Sequence, residues 1–342
     1  MKAAILVEQK KPLVVAEIGV PSKLEYGQVR VKVICSSICG SQIGEIDGAK
    51  GPDKFLPHLL GHEGGGIVEE TGPGVTKVKK GSHVVLHWRK GAGIEAPVPK
   101  YKWGSKTVSA GWITTFNEYA VVSENRITEI EDDIKFEVAA LMGCAVTTGL
   151  GVVINDVNLK IGESIAVFGV GGVGLNIIQG SKLVSAGIII AIDVHDDRLK
   201  LAKEFGATHI INASRADVRE ELRNIRGSRG VDAAVDTTGI VNVINLAYEI
   251  TSNDGRTVLV GVPRGGEKIS IYSLPLHFNK RIYGSHGGGT NPCVDIPRYL
   301  DLYKKGSLKL RGIITDSFRL DNINKAIETT RAGKAIKCLI RM

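Results

Sequence analysis

At 342 residues the chain is long enough for two domains at the usual size of roughly 150 residues each. With 43% hydrophobic and 23% charged residues it reads as a globular protein with large cores, and no apolar run approaches the roughly 18–20 uncharged residues of a membrane helix. The formal net charge is +8, but the basic residues are spread without zinc-finger spacing or an aromatic RNA-binding signature, which argues against nucleic acid and for a solvated surface that partly serves a phosphate-bearing cofactor.

The start, "MKAAILVEQKKPLVV", is a short apolar stretch met at once by Glu8, Lys10 and Lys11. It reads as a first β-strand rather than a secretion signal, so a cytoplasmic protein is expected. Up to residue 145, short β-branched runs such as "QVRVKVI", "GIVEETG", "HVVLHW" and "FNEYAVV" are punctuated by Gly and Pro. That pattern predicts a mostly antiparallel β-domain.

Three segments of this part carry soft metal donors. "SSICGSQIG" holds Cys39, "LLGHEGGGIVEE" holds His62 and Glu63 ahead of three consecutive glycines, and "LMGCAVTTG" holds Cys144. Five cysteines, Cys35, Cys39, Cys144, Cys293 and Cys338, are too few and too scattered for a disulfide framework, so reduced thiols are expected as metal ligands or core filler. Two thiolates and one imidazole are enough for a zinc with an open fourth position. The alternative makes His62 a satisfied core histidine. Between these segments, residues 89–111, "RKGAGIEAPVPKYKWGSKTVSAG", contain no cysteine. Their Lys, Arg and Trp residues shape a substrate entrance or a subunit contact, unless the segment is a flexible surface loop.

From residue 160 the rhythm changes. "SIAVFG" is an apolar strand, "VGLNIIQGSKLVSAG" has helical spacing and "IIIAID" is a second buried strand. "DDRLKLAKEFGA" predicts a helix with Leu199, Ala202 and Phe205 on one face, acids in the first turn and Gly206 as its stop. Strands follow at "DAAVDTTG", "RTVLVGVP" and "RIYGSH", which predicts a doubly wound parallel sheet. The tail adds helices at "VDIPRYLDLYKKG" and "LDNINKAIETTRAGK" and a last strand, "AIKCLIRM".

"GVGGVG" supplies Gly169, Gly171, Gly172, Val173 and Gly174 between a strand and a helix, and the next strand ends in Asp193. This is a dinucleotide fingerprint in its proper context. Gly169 makes the tight turn, Gly171 lets the backbone approach a pyrophosphate, and Gly174 allows close packing of the helix, whose N-terminus faces the anion. Asp193 holds the ribose hydroxyls. A 2′-phosphate about 4 Å from that carboxylate meets repulsion of order 4 kcal/mol at an effective dielectric near 20, so NAD is favoured over NADP. Arg198 softens the penalty.

These motifs, in this order, give the chain a resemblance to the zinc-dependent medium-chain alcohol dehydrogenases over nearly its whole length. The Cys-Cys-His donor set is known from that family, so the match is a resemblance and not a derivation. The family implies an α/β protein with a β-rich GroES-like catalytic domain built from both chain ends, 1–146 and 287–342, and a Rossmann domain at 147–286. It implies one catalytic zinc on Cys39, His62 and Cys144, with Glu63 behind the metal as support or transient ligand. The glycines after Glu63 then form a side-chain-free passage through a crowded core. Such a zinc acts as a Lewis acid on the substrate oxygen while hydride passes from its carbon to the nicotinamide.

The resemblance further implies a proton relay at Ser41, which is otherwise a turn residue. Thr148 stands beside the nicotinamide, Val260 and Val262 contact its carboxamide unless they are plain strand core, and Lys337 faces the pyrophosphate unless it is simply solvated. Trp88 and Phe116 fall at substrate-pocket positions, with core packing as the rival. Cys35, Cys293 and Cys338 match no ligand position. Three departures are visible. An aspartate that orients the zinc histidine is Gln42 here, a second relay histidine is Gly44, and the four-cysteine structural zinc lobe is missing from residues 89–111. The expectation is a zinc- and NAD-dependent enzyme interconverting a small-molecule alcohol and its aldehyde or ketone, as a homodimer or homotetramer. Rivals are a zinc-free quinone or enoyl reductase of the same superfamily and a non-catalytic NAD-binding protein.

Overall fold

A computed structural model describes all of residues 1–342, which divide into two compact units. The first comprises Met1–Cys144, Asn291–Asp301 and Ile313–Met342, and the second Ala145–Thr290 with Leu302–Gly312. The short 302–312 segment belongs to the second unit, although a boundary at 287 assigns it to the first. The cause is local. Leu308 and Leu310 are buried, and the Lys309 backbone both donates to and accepts from the Gln179 side chain at 3.0 and 3.2 Å.

The first unit is built on a seven-stranded sheet. Strands Ile127–Ile130, His83–His87, Glu63–Thr71, Gln28–Ser37, Lys337–Arg341 and Ile314–Arg319 lie side by side, and Tyr119–Ser123 also pairs with Gln28–Ser37. All these pairings are antiparallel except the last two strands of the row, which run parallel. Val29, Val31, Val33, Val84, Leu86 and Val122 project into one core from alternate strand positions, the period-2 pattern expected of a sheet with a buried face. The C-terminal strand, Lys337–Arg341, is therefore interior to the sheet and not an edge.

The glycine run lies on the Glu63–Thr71 strand, and the space around it explains the missing side chains. A Cβ at Gly65 would lie 2.8 Å from both Ala139 Cβ and the Phe136 carbonyl, and one at Gly66 would lie 2.4 Å from the Lys32 carbonyl. Only bare backbone passes between the neighbouring strand and the Phe136–Met142 helix. Gly66→Ala is expected to cost about 2 kcal/mol, since the contact is with backbone that cannot rotate away. A urea midpoint unchanged from wild type would contradict this packing.

The cysteine-free 89–111 segment is held by side chains. The buried Glu124 carboxylate accepts from the backbone N–H groups of Thr76, Lys77 and Ile94 at 2.7–2.9 Å. Arg126 reaches the Glu95 carboxylate at 3.0 Å and the Trp88 carbonyl at 2.5 Å. Beyond that anchor, Tyr101–Trp103 and Lys106–Val108 form a small hairpin, and Tyr101 is fully buried with its hydroxyl accepting from Val121 N–H. The reading as a flexible loop is thus replaced by an anchored lobe.

The second unit carries six parallel strands, in the order His209–Asn212, Ile188–Asp193, Ser164–Phe168, Val231–Asp236, Thr251–Leu259 and Arg281–Gly284. The order reverses about Ser164–Phe168, so the loop following that strand opens at the switch point, where such sheets bind ligands. The Asp196–Phe205 helix buries Leu199, Ala202 and Phe205 and ends at Gly206, whose φ of 119° only glycine adopts readily. The Val218–Arg226 helix starts on Asp217, which caps Arg219 and Glu220 N–H. No single helix of the chain is long and apolar enough to cross a membrane.

Candidate metal centre and dinucleotide turn

Each of the three soft donors is delivered by a backbone feature. Cys39 follows the Gln28–Ser37 strand and caps the short Gly40–Ile46 helix. His62 sits between a strand end and Glu63–Thr71, after Gly61, where φ is +94° and a Cβ would meet Thr115 Oγ1 at 2.4 Å. The Leu60 carbonyl there accepts from Thr115 and Phe116 N–H at 3.0 and 3.1 Å, which fixes the approach of the histidine. Cys144 follows the Phe136–Met142 helix through Gly143, where a Cβ would lie 2.4 Å from the Leu86 carbonyl and 2.8 Å from Glu63 Cβ. The sequence reading missed Gly143. Nothing in its local pattern separates it from an ordinary helix stop.

The structure brings Cys39, His62 and Cys144 together, with donor atoms all within 4.8 Å of one another. His62 Nδ1 faces Gln42, with Ser41 Oγ at 3.5 Å, while His62 Nε2 is buried without a hydrogen-bond partner. An orphaned buried ring nitrogen beside two thiols is costly unless something occupies the space between them. The titration pattern agrees. A hydrogen bond from Cys144 pulls the Cys39 thiol well below its usual range against the cost of burial, helped by the charges of Lys337 and His62. Cys144, as the donor and in a buried place, is pushed up. Burial pulls the His62 imidazole down, but the Cys39 thiolate and Glu63 outweigh it and the net shift is upward. Two sulfurs sharing a proton beside a lone ring nitrogen fit a soft divalent cation that would displace that proton.

Glu63 is fully buried behind these donors. One carboxylate oxygen pairs with the Lys337 ammonium, and the other has no partner. Lys337 also donates to Ser37 Oγ and the Ile38 carbonyl, each at 3.2 Å. Burial opposes its charge, yet Glu63, Cys39 and Cys144 together raise its pKa. The expectation that Lys337 faces a pyrophosphate, or is solvated, meets a side chain only 4% exposed and committed to Glu63. Its place in an interior strand, not an edge one, is the reason.

The two aromatic pocket positions part company. Trp88 is near the site, its ring centroid 6.5 Å from that of His62, with the Arg89 guanidinium 5.9 Å from the indole. Phe116 is fully buried in the core with Ala4, Leu6, Ile38 and Leu60, so it packs rather than lines a pocket. A cavity of about 660 Å³ adjoins His62 and Gln42. Its walls carry Glu45, Lys50, Asp53, Lys54 and His58, with Leu60 and Ile113 among its apolar lining. The Asp53 carboxylate is held 2.7 Å from His58 Nε2, which keeps the 53–58 loop folded back on itself. Cys35 and Cys338 are buried in cores, and Cys293 lies half-buried with Ala92 N–H donating to its sulfur at 3.2 Å.

In the second unit, Gly169 has a φ of +86°, and its carbonyl would stand 2.0 Å from any Cβ at Gly174. Gly174 is thus needed within the turn itself, more than against the sheet. A Cβ at Gly171 would meet nothing, so the face that a pyrophosphate would approach is open above Gly172 and Val173 at the helix start. Asp193 accepts from Val170 N–H at 2.7 Å and from Val194 and His195 N–H at 2.8 and 3.0 Å. Burial raises its pKa, but these bonds and the nearby Arg198, 3.8 Å away, carry the net shift downward. The carboxylate is therefore ionised and fixed at the strand end. Thr148 is buried on the Ala145–Gly151 helix. Val260 and Val262 lie just past the end of Thr251–Leu259, and Val262 is 63% exposed, so neither is plain strand core.

Comparison with known proteins accords with this geometry. Residues 25–132 match the alcohol dehydrogenase GroES-like domain, and residues 172–305 match the zinc-binding dehydrogenase family. The chain is 32% identical to an S-(hydroxymethyl)glutathione dehydrogenase of Paracoccus denitrificans over 99% of both chains. Among solved structures, a zinc-binding-domain alcohol dehydrogenase protein from Burkholderia ambifaria superposes with a TM-score of 0.91 at 27% identity, covering 100% of this chain and 98% of the other. Benzyl alcohol dehydrogenase from Acinetobacter calcoaceticus gives a TM-score of 0.90 at 27% identity, covering 100% and 99%.

Proposed function

The chain belongs to the zinc-dependent alcohol dehydrogenase family, whose reaction is NAD-dependent alcohol oxidoreduction, and we propose that its own substrate is a polar alcohol larger than a simple alkanol. The observation that carries the reading is the convergence of Cys39, His62 and Cys144 beside a 660 Å³ cavity whose lining mixes charged side chains (Glu45, Lys50, Asp53, Lys54) with apolar ones. Cys39, His62 and Cys144 would hold zinc, and bound zinc supplies Lewis-acid polarisation of the substrate oxygen. Ser41, with its hydroxyl near His62, passes the substrate proton outward, and with Gly44 in place of a second relay side chain the onward path runs through water or the ribose. Glu63 and Lys337 balance charge behind the donors. Asp193 takes the ribose hydroxyls, and Gly169 to Gly174 take the pyrophosphate.

A volume of several hundred cubic ångströms suits a ligand of drug-like size, far beyond ethanol. The charged groups in its mixed lining favour a polyol, a sugar-linked alcohol or a hydroxymethyl thiol adduct of the kind named for the Paracoccus relative. The Trp88 ring beside His62 favours a second reading, an aromatic primary alcohol like that named for the Acinetobacter enzyme. NADH formation across a panel of alkanols, polyols, sugar-linked alcohols, hydroxymethyl thiol adducts and benzyl alcohol, with and without chelator, separates the two. Turnover confined to alkanols would refute the polar reading. Turnover unaffected by metal removal would refute the zinc.

We extend the reading to a cytoplasmic homodimer or homotetramer, as is usual for the family; light scattering on the purified protein tests the assembly. Asp193→Ser is expected to cut the preference for NAD over NADP about tenfold or more, the equivalent of a third of the ~4 kcal/mol repulsion that a 2′-phosphate meets. Ratios of kcat/KM with the two cofactors measure it.

A further inference from the structure

Two metal-donor residues depend on one amide, and the amide cannot serve both. The Gln42 carbonyl oxygen accepts from Cys39 N–H at 3.3 Å, while the Gln42 amide nitrogen lies against His62 Nδ1. Gln42 is 2% exposed, so its own amide is held by these two protein partners and not by bulk solvent. A histidine that gives Nε2 to a metal carries its proton on Nδ1, and that N–H requires an acceptor. An NH₂ group facing Nδ1 is the wrong partner for that state and the right one for a ring without metal. If the amide turns over to present its oxygen to His62, Cys39 N–H loses its acceptor. The other oxygen near Nδ1, Ser41 Oγ, is at the limit of hydrogen-bond distance, 3.5 Å.

We propose that Gln42 is a positioning residue that makes the zinc of this enzyme weakly held and exchangeable, because its single acceptor oxygen is contested by Cys39 N–H and His62 Nδ1–H. This rests on the zinc reading above. With its oxygen on Cys39 N–H, the amide satisfies Cys39 and leaves His62 in the form a metal cannot use. Loading with zinc turns the amide and releases the Cys39 N–H. A glutamate of the same length has two acceptor oxygens and serves both groups at once.

The test is competition for zinc against a chromophoric chelator at pH 7.5, with circular dichroism to check folding. Gln42→Glu is expected to lower the zinc dissociation constant about 10- to 100-fold, and Gln42→Met to raise it by a similar factor. Added negative charge alone would also tighten binding, so amide hydrogen exchange at Cys39 is the second readout. In the wild type Cys39 N–H is expected to lose protection on zinc loading; in Gln42→Glu it stays protected in both states. A folded Gln42→Glu that binds zinc no more tightly overturns the proposal. So does a Cys39 amide that remains protected in the zinc-loaded wild type, a measurement that needs no variant. A wild type that takes up no zinc at all overturns this proposal together with the zinc reading.

Discussion

Cys39→Ser is expected to abolish zinc uptake and to lower kcat/KM in zinc-supplemented buffer with any accepted alcohol by roughly 10³-fold or more, while NAD still binds. Lewis-acid stabilisation by a metal is worth several kcal/mol, and each 1.36 kcal/mol is a factor of ten in rate. Serine is a harder donor than thiolate and does not ionise near neutrality, so the site falls to one sulfur and one imidazole. The separation of effects follows from the architecture. Cys39 lies in the first unit, and the Gly169–Gly174 turn with Asp193 lies wholly in the second. The checks are metal analysis of purified protein, steady-state NADH formation and NAD affinity by calorimetry. Full activity in the zinc-free variant would remove the metal from the mechanism. Loss of NAD binding together with zinc would show that the variant damages folding instead.

What the sequence made legible was local and patterned. The turn at Gly169 to Gly174 and the distant Asp193 could be read because glycine spacing, a strand before and a helix after are all written in contiguous residues. Their positions on a switch-point loop and a strand end follow from those neighbours. The soft donors were legible for a different reason. Cys35, His58, His83 and His87 also precede residue 145, so it was the family resemblance of the segments around them, and not spacing, that singled out Cys39, His62 and Cys144.

Burial set by tertiary partners was not legible. Phe116 and Trp88 are both aromatic residues in the same half of the chain, yet one fills a core beside Leu6 and Ile38 and the other stands by His62. Only the fold distinguishes them. The 302–312 segment likewise follows its hydrogen bonds to Gln179, which no local signal announces. Lys337 is the clearest case. A lysine on a terminal strand is ordinarily solvated, and only the insertion of that strand between Gln28–Ser37 and Ile314–Arg319 turns it inward.

That inward turn makes Lys337→Met the second large effect. Breaking a buried ion pair by removing one member costs about 3–5 kcal/mol, because the other charge is left uncompensated. Here the abandoned group is Glu63, fully buried and with one oxygen already lacking a partner, and the same ammonium also faces Cys39, whose thiol is held well below its usual range. The metal-free protein is therefore expected to lose stability in that range in urea. Zinc-loaded protein should lose less, since a dication beside Glu63 takes over part of the ammonium's role. Adding Glu63→Gln removes the stranded charge, so the double variant should recover most of the loss. If Lys337→Met cost no more than a surface lysine, or if the double variant were as unstable as the single, the pair would be a packing contact and not a charge balance. The difference between loaded and metal-free protein is the sharper measure, because loss of aliphatic packing alone would lower both equally.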